Sequence, residues 1–235
     1  LPLYVVEALA AGSAGGRVPR GMRALLRERL GRVGETAGQV LTAASVIGRS
    51  FDFGTVRPVA GRTEDETLDA LEELVRRGLL REQADGGWDF THGRLREAAY
   101  EAASLARRRI LHRRVAHPPR APHRRRAALD GLVQIARHER DAGREAEAAD
   151  AYREAGIRAR RLFAHPEATD AFEAALALGH PDVVGLHEAL AEVRMVDGDY
   201  AGAIASLEAA AALAPDERLA SIELRLGQVH ARRGD

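Results

Sequence analysis

Gly198-Asp199-Tyr200-Ala201-Gly202-Ala203-Ile204-Ala205-Ser206-Leu207-Glu208-Ala209-Ala210, closed by Pro215, decides how the second half of this chain is read. Gly198-Asp199-Tyr200 is a turn sequence, and Ala203, Leu207 and Ala210 follow it at an A-x3-F-x2-A spacing. That spacing puts a large side chain between two small ones on one helix face. Small residues are needed where the two helices of a hairpin approach closely, so the stretch predicts the turn and second helix of a helical hairpin.

The spacing occurs twice more, at Ala148/Tyr152/Ala155 and Ala168/Phe172/Ala175. The turn returns 36 residues on as Gly234-Asp235, preceded by Leu226-Gly227 and His230 at the places where the pattern wants leucine, glycine and an aromatic. These are features of the tetratricopeptide repeat, a stacked helical hairpin. Residues 124–235 therefore predict an α-solenoid. The first two matches lie only 20 residues apart, so one unit is expected to be shortened or irregular. Because the chain stops at the turn of its last repeat, a truncated array is expected.

Upstream the periodicity is also helical. Met22, Leu26 and Leu30 form one stripe, with Leu25 and Val33 beside it. Thr36 and Gln39 have the spacing of a capping box before Val40, Ala44 and Ile47; Thr63 and Glu66 repeat it before a stripe of Leu68, Leu71 and Val75. Arg76 and Arg77 suit the end of that third helix, and Gly78 is a left-handed stop. Leu79–Gln83 and Trp88–Thr91 flank the turn sequence 84–87 and predict a β-hairpin. Helices followed by a hairpin predict a winged helix-turn-helix, completed by one long helix from about Arg94 to Ala116. The prolines of His117-Pro118-Pro119-Arg120-Ala121-Pro122 mark a boundary. The division is thus 1–20, 21–116 (winged-helix-like domain and exit helix), 117–123 (linker) and 124–235 (repeats), in a mainly α fold.

Composition narrows the chemistry. All 35 basic residues are arginine, balanced by 35 acids to a formal net charge of zero. Without lysine there is no P-loop lysine, Schiff-base lysine or Ser-x-x-Lys pair. Without cysteine there is no disulfide framework or thiolate ligand, which suits a cytoplasmic protein. No apolar run approaches the ~18 residues of a membrane helix. His138-Glu139 and His187-Glu188 lack the second histidine of a zinc-protease helix, and Ser13 has alanine where the nucleophile elbow wants glycine. The residues predict no enzyme, no catalytic residue and no metal site.

Three segments together resemble the STAND class, signal-transduction ATPases with numerous domains, and within it the large bacterial regulators related to the LuxR family. Leu1-Pro2-Leu3-Tyr4-Val5-Val6-Glu7 resembles the tail of the G-x-P-L segment that ends the ATPase module. Val40–Phe51 resembles the opening of the winged-helix domain. Phe90-Thr91-His92-Gly93-Arg94-Leu95-Arg96-Glu97-Ala98-Ala99-Tyr100, with Arg108-Arg109 and His112, resembles the helix that leaves it. Ile135-Ala136-Arg137-His138 with Ala142-Gly143 resembles the usual entry into the repeats. The resemblance implies that Pro2 contacts adenine and that His92 senses the nucleotide's β-phosphate, although Gly93 stands where an aspartate commonly supports the histidine. It implies that the ATPase module, binding ATP or ADP, lies outside these residues, with no cofactor held by the fragment itself. A protein or small-molecule inducer would bind the repeats, and DNA would be met only by a domain outside the chain.

Other readings stand beside these. His92 is also what a local hydrogen bond at a helix start would use, and Pro2 what any terminus could carry. The acid-free arginines 107–126 could neutralise phosphates, but no aromatic residue interleaves them to stack bases. They are read first as a solvated face paired with neighbouring acids. The helix after Thr63 carries Glu64, Asp65, Glu66, Asp69, Glu72 and Glu73, which would repel DNA. The expected function is a regulatory, protein-interaction fragment of an ATP-dependent transcriptional regulator; the alternative is a repeat scaffold linked to a nucleotide cyclase or protein kinase.

Overall fold

A computed structural model describes residues 28–117 and 129–234. The chain divides into two compact units, Leu1–Pro119 and Arg120–Asp235. Pro2 and the residues of the first predicted segment, 1–20, lie outside the described part, as do Met22 and Leu26 of the first stripe.

The first unit runs α1 (Glu35–Ile47), β1 (Ser50–Phe51), α2 (Phe53–Ala60), α3 (Glu64–Arg76), β2 (Leu80–Glu82), β3 (Trp88–Phe90), α4 (Gly93–Ala102) and α5 (Leu105–Ala116). β3 lies between β1 and β2 and is antiparallel to both, with Phe51 opposite Trp88 on one side and Leu80 opposite Phe90 on the other. The predicted hairpin is present. β1 was not foreseen: two residues are too few to show an alternation. One core holds the unit together, built from large side chains of five elements: Leu41, Leu71 with Leu74, Phe90, Leu95 and Leu111. α1 runs through it, packed against α2, α3, α4 and α5.

The capping box at Thr63 forms. Its hydroxyl accepts from the Glu66 backbone N–H at 3.2 Å, and Glu66 accepts from the Thr63 N–H at 3.0 Å. The helix ends in paired bonds from Gly78 N–H to Val75 O and from Leu79 N–H to Leu74 O, with Gly78 left-handed at φ 67°. The buried face, however, is Thr67, Ala70, Leu71 and Leu74, with Leu68 46% exposed. Packing on α1 turns the helix about one residue from the predicted stripe. Thr67 can be buried because its hydroxyl donates to the Thr63 carbonyl at 2.7 Å.

Two further expectations need correction. The Thr36/Gln39 box does not form: Gly34 caps α1, and its N–H is satisfied by the Glu73 carboxylate of α3 at 3.1 Å. That bond, together with Arg77, holds the Glu73 carboxyl below the usual carboxylate range. The long helix from Arg94 is two helices, because Ala103 and Ser104 are extended and the Ser104 hydroxyl caps α5 by accepting from Arg107 N–H at 3.2 Å. In an unbroken helix Tyr100 and His112 would be about 18 Å apart along the axis. The break brings the Tyr100 hydroxyl and His112 Nε2 to 3.0 Å, with Arg108 over the tyrosine ring at 4.9 Å.

The second unit is helical throughout its described residues: α6 (Leu129–Asp141), α7 (Glu145–Arg161), α8 (His165–Ala177), α9 (Val183–Val196), α10 (Tyr200–Leu213) and α11 (Asp216–Arg233). Each packs on the next in sequence. All three predicted triplets are buried, their six alanines completely. The 20-residue spacing now has a cause: the first two triplets lie on successive helices, α7 and α8. α7 is the second helix of a hairpin with α6 and the first helix of a hairpin with α8. Gly156 on α7 makes the latter possible, since a Cβ there would sit 2.6 Å from two ring carbons of Phe172. At the best-matched turn, Gly198 is left-handed at φ 79° and Asp199 caps α10, accepting from Gly202 N–H at 2.9 Å.

Candidate interaction groove

α7, α9 and α11 carry charged residues at helical repeats of one or two turns. On α7 these are Arg153 and Arg160, and on α11 Arg218 and Arg225, each pair seven residues apart and so on one face. Between them stand Asp182, the N-cap of α9, with Glu188 and Glu192. Arg153 meets Asp182 at 3.7 Å and Arg218 meets the same carboxylate at 3.8 Å. Arg218 also pairs with Glu188. Arg225 reaches Glu188 at 3.8 Å and Glu192 at 3.2 Å, and Arg160 pairs with Glu192 as well. The result is an unbroken alternation of four guanidinium groups and three carboxylates across three helices.

Beneath and beside this ladder is a cleft of about 200 Å³ whose apolar lining includes Ile157, Phe172 and Leu186. Gly185 belongs to it for a local reason: a Cβ there would lie 2.4 Å from the Asp182 carboxylate that caps the helix. His187, on the same helix, has its pKa lowered by burial and by the Arg194 charge nearby. The cleft thus joins a few apolar side chains to a half-exposed charged rim. Among the described residues no group of histidines and carboxylates is placed to hold a metal ion, and no helix is long and apolar enough to cross a membrane.

His92 and the described arginines of the 107–126 run lie in the first unit and do not line this cleft. His92, in the first unit, is the N-cap of α4; its carbonyl accepts from Leu95 N–H at 3.0 Å, and its imidazole does not cap the helix. Pro2 is outside the described residues. Of the arginine run, Arg107, Arg109 and Arg113 make no ion pair among the described residues, which corrects the expectation that they are matched by neighbouring acids. Arg114 donates instead to the Val59 carbonyl at 2.9 Å. Arg120, Arg124, Arg125 and Arg126 lie outside the described part.

No family model matches the chain, and no curated protein does. A solved structure does: that of a signal transduction ATPase with numerous domains (STAND) carrying a tetratricopeptide repeat sensor, from Pyrococcus horikoshii. The TM-score is 0.61 at 14% identity, over 94% of this chain. The fold is similar to part of a STAND protein. The chain spans 32% of that protein's length.

Proposed function

We propose that this chain is the regulatory, partner-binding part of an ATP-dependent STAND-class protein, without catalytic chemistry of its own. The observation that carries the reading is the alternating charged ladder bordering a cleft whose lining also includes Ile157, Phe172 and Leu186, set on a helical array similar to that of a STAND protein with a repeat sensor. The element order α1-β1-α2-α3-β2-β3 supports a winged-helix reading of the first unit. The motif resemblances at Val40–Phe51 and Phe90–Tyr100 support the narrower reading, a cytoplasmic LuxR-related transcriptional regulator. In that reading ATP or ADP is bound by a module outside these residues, with Pro2 and His92 as contributing contacts. DNA is met by another domain, and an inducer is received in the groove.

The groove is tested by binding the chain and its Glu188→Arg/Glu192→Arg variant to an array of peptides of mixed charge. Peptides held by the native chain should be lost from the variant while its circular dichroism stays helical. Equal binding by both would place the partner site elsewhere and remove the main support for the reading. Titrating ATP into the chain should show no turnover and only very weak binding.

A further inference from the structure

α3 and α5 each present an unsatisfied charged stripe, and the two stripes match. On α3, Asp65 and Asp69 are exposed, one turn apart, and make no ion pair or side-chain hydrogen bond among the described residues; Leu68 beside them is 46% exposed. On α5, Arg109 and Arg113 are exposed at the same spacing and equally unmatched, with Ile110 beside them 38% exposed. α1 packs between these helices, touching both, and among the described residues no ion pair joins α3 to α5. Within one molecule the stripes therefore leave each other unpaired.

We infer that α3 of one copy docks in parallel on α5 of a second copy, pairing Asp65 with Arg109 and Asp69 with Arg113. Residues advance about 100° around a helix. In a parallel pair, Leu68, three positions after Asp65, and Ile110, one position after Arg109, then fall on the same flank of the seam. They would meet between the two charge pairs. An antiparallel pair would put them on opposite flanks. A nucleic-acid partner would use the arginines but gain little from the exposed isoleucine, and would leave α3 unexplained. Because the two surfaces differ, the contact is heterologous: the first copy keeps its α5 stripe free and the second its α3 stripe, so the pair can extend into a ring or chain.

One helix pair covers less than the ~800 Å² per partner of a standard interface, so the association is weak and salt-sensitive. Sedimentation velocity of the whole chain should show an average mass rising above 25.4 kDa with concentration. Affinity should fall about tenfold between roughly 0.05 M and roughly 0.5 M salt. Arg109→Glu/Arg113→Glu and Asp65→Arg/Asp69→Arg should each remain monomeric, because each makes both stripes alike in sign. Mixed in equal amounts they should associate again, an outcome that misfolded variants could not give. A native chain that stays monomeric, variants that associate like it, or a mixture that does not associate would each overturn the inference. So would duplex DNA binding lost with the arginine reversal in a chain that does not self-associate, since it would assign α5 to nucleic acid.

Discussion

The two units solve the burial problem in opposite ways. The first gathers large side chains from eight short elements into one core, where Phe90 touches a ring brought by β1 and Leu111 comes from α5. The second buries mostly alanine, with one large residue at the centre of each triplet, and its core falls into separate clusters along the array. In the first, stability depends on contacts distant in sequence, so the unit should melt as a whole. In the second, each helix leans on its neighbours, and damage should stay local.

The strongest test is Phe90→Ala. Removing a fully buried phenylalanine costs about 3–5 kcal/mol, and amide exchange should accelerate across α1 to α5 together, with α6 to α11 unchanged. Exchange confined to the sheet would show that the first unit is less cooperative than its core suggests. Gly156→Ala is the counterpart in the second unit. It drives a methyl into the Phe172 ring, at about 1–3 kcal/mol, and faster exchange should be confined to α7, α8 and their contacts. Spread over the whole array would erase the contrast between the units.

A smaller effect separates two look-alike caps. Thr63→Ala should lower the melting stability of the first unit by about 1 kcal/mol, whereas Thr36→Ala should leave it nearly unchanged, because only Thr63 caps a helix. The least effect is on pH. The folded pKa of His187 lies below its unfolded value of about 6.5, so its contribution is present above that pH and is lost as pH falls through the folded value. Acidification from about pH 6.5 to about pH 5 should therefore weaken the second unit first, and His187→Gln should flatten that slope. Glu73 is lowered likewise, so its own contribution to the first unit should be lost only below about pH 4.3.

These contrasts also explain what could be read in the residues alone. Ala168, Phe172 and Ala175 lie within one helix, and their spacing carries their burial; the same holds for the Thr63 box and the Gly78 stop. Thr36 fails because the α1 terminus is satisfied by Glu73, 39 residues away, which no local pattern reveals. Ser104 is a good cap residue, but apolar periodicity runs past it and hides the break. The groove was invisible for a similar reason. Arg153 and Arg225 are ordinary surface arginines until three helices place the carboxylates of α9 between them.

The double use of α7 has a meaning in time as well as in space. A helix that belongs to two hairpins cannot form its contacts with one partner without preparing a surface for the other. Array proteins of low contact order can begin folding at any repeat, but a shared helix favours the stretch from α6 to α8 as the starting point. Substitutions such as Ala155→Gly in α7 should then slow refolding, while Val229→Ala in α11 should chiefly speed unfolding, a distinction that stopped-flow measurements on the two variants would resolve. Slower refolding of the Ala155 variant alone would make the irregular repeat, which looks in the sequence like a unit cut short, the place from which the rest of the array grows.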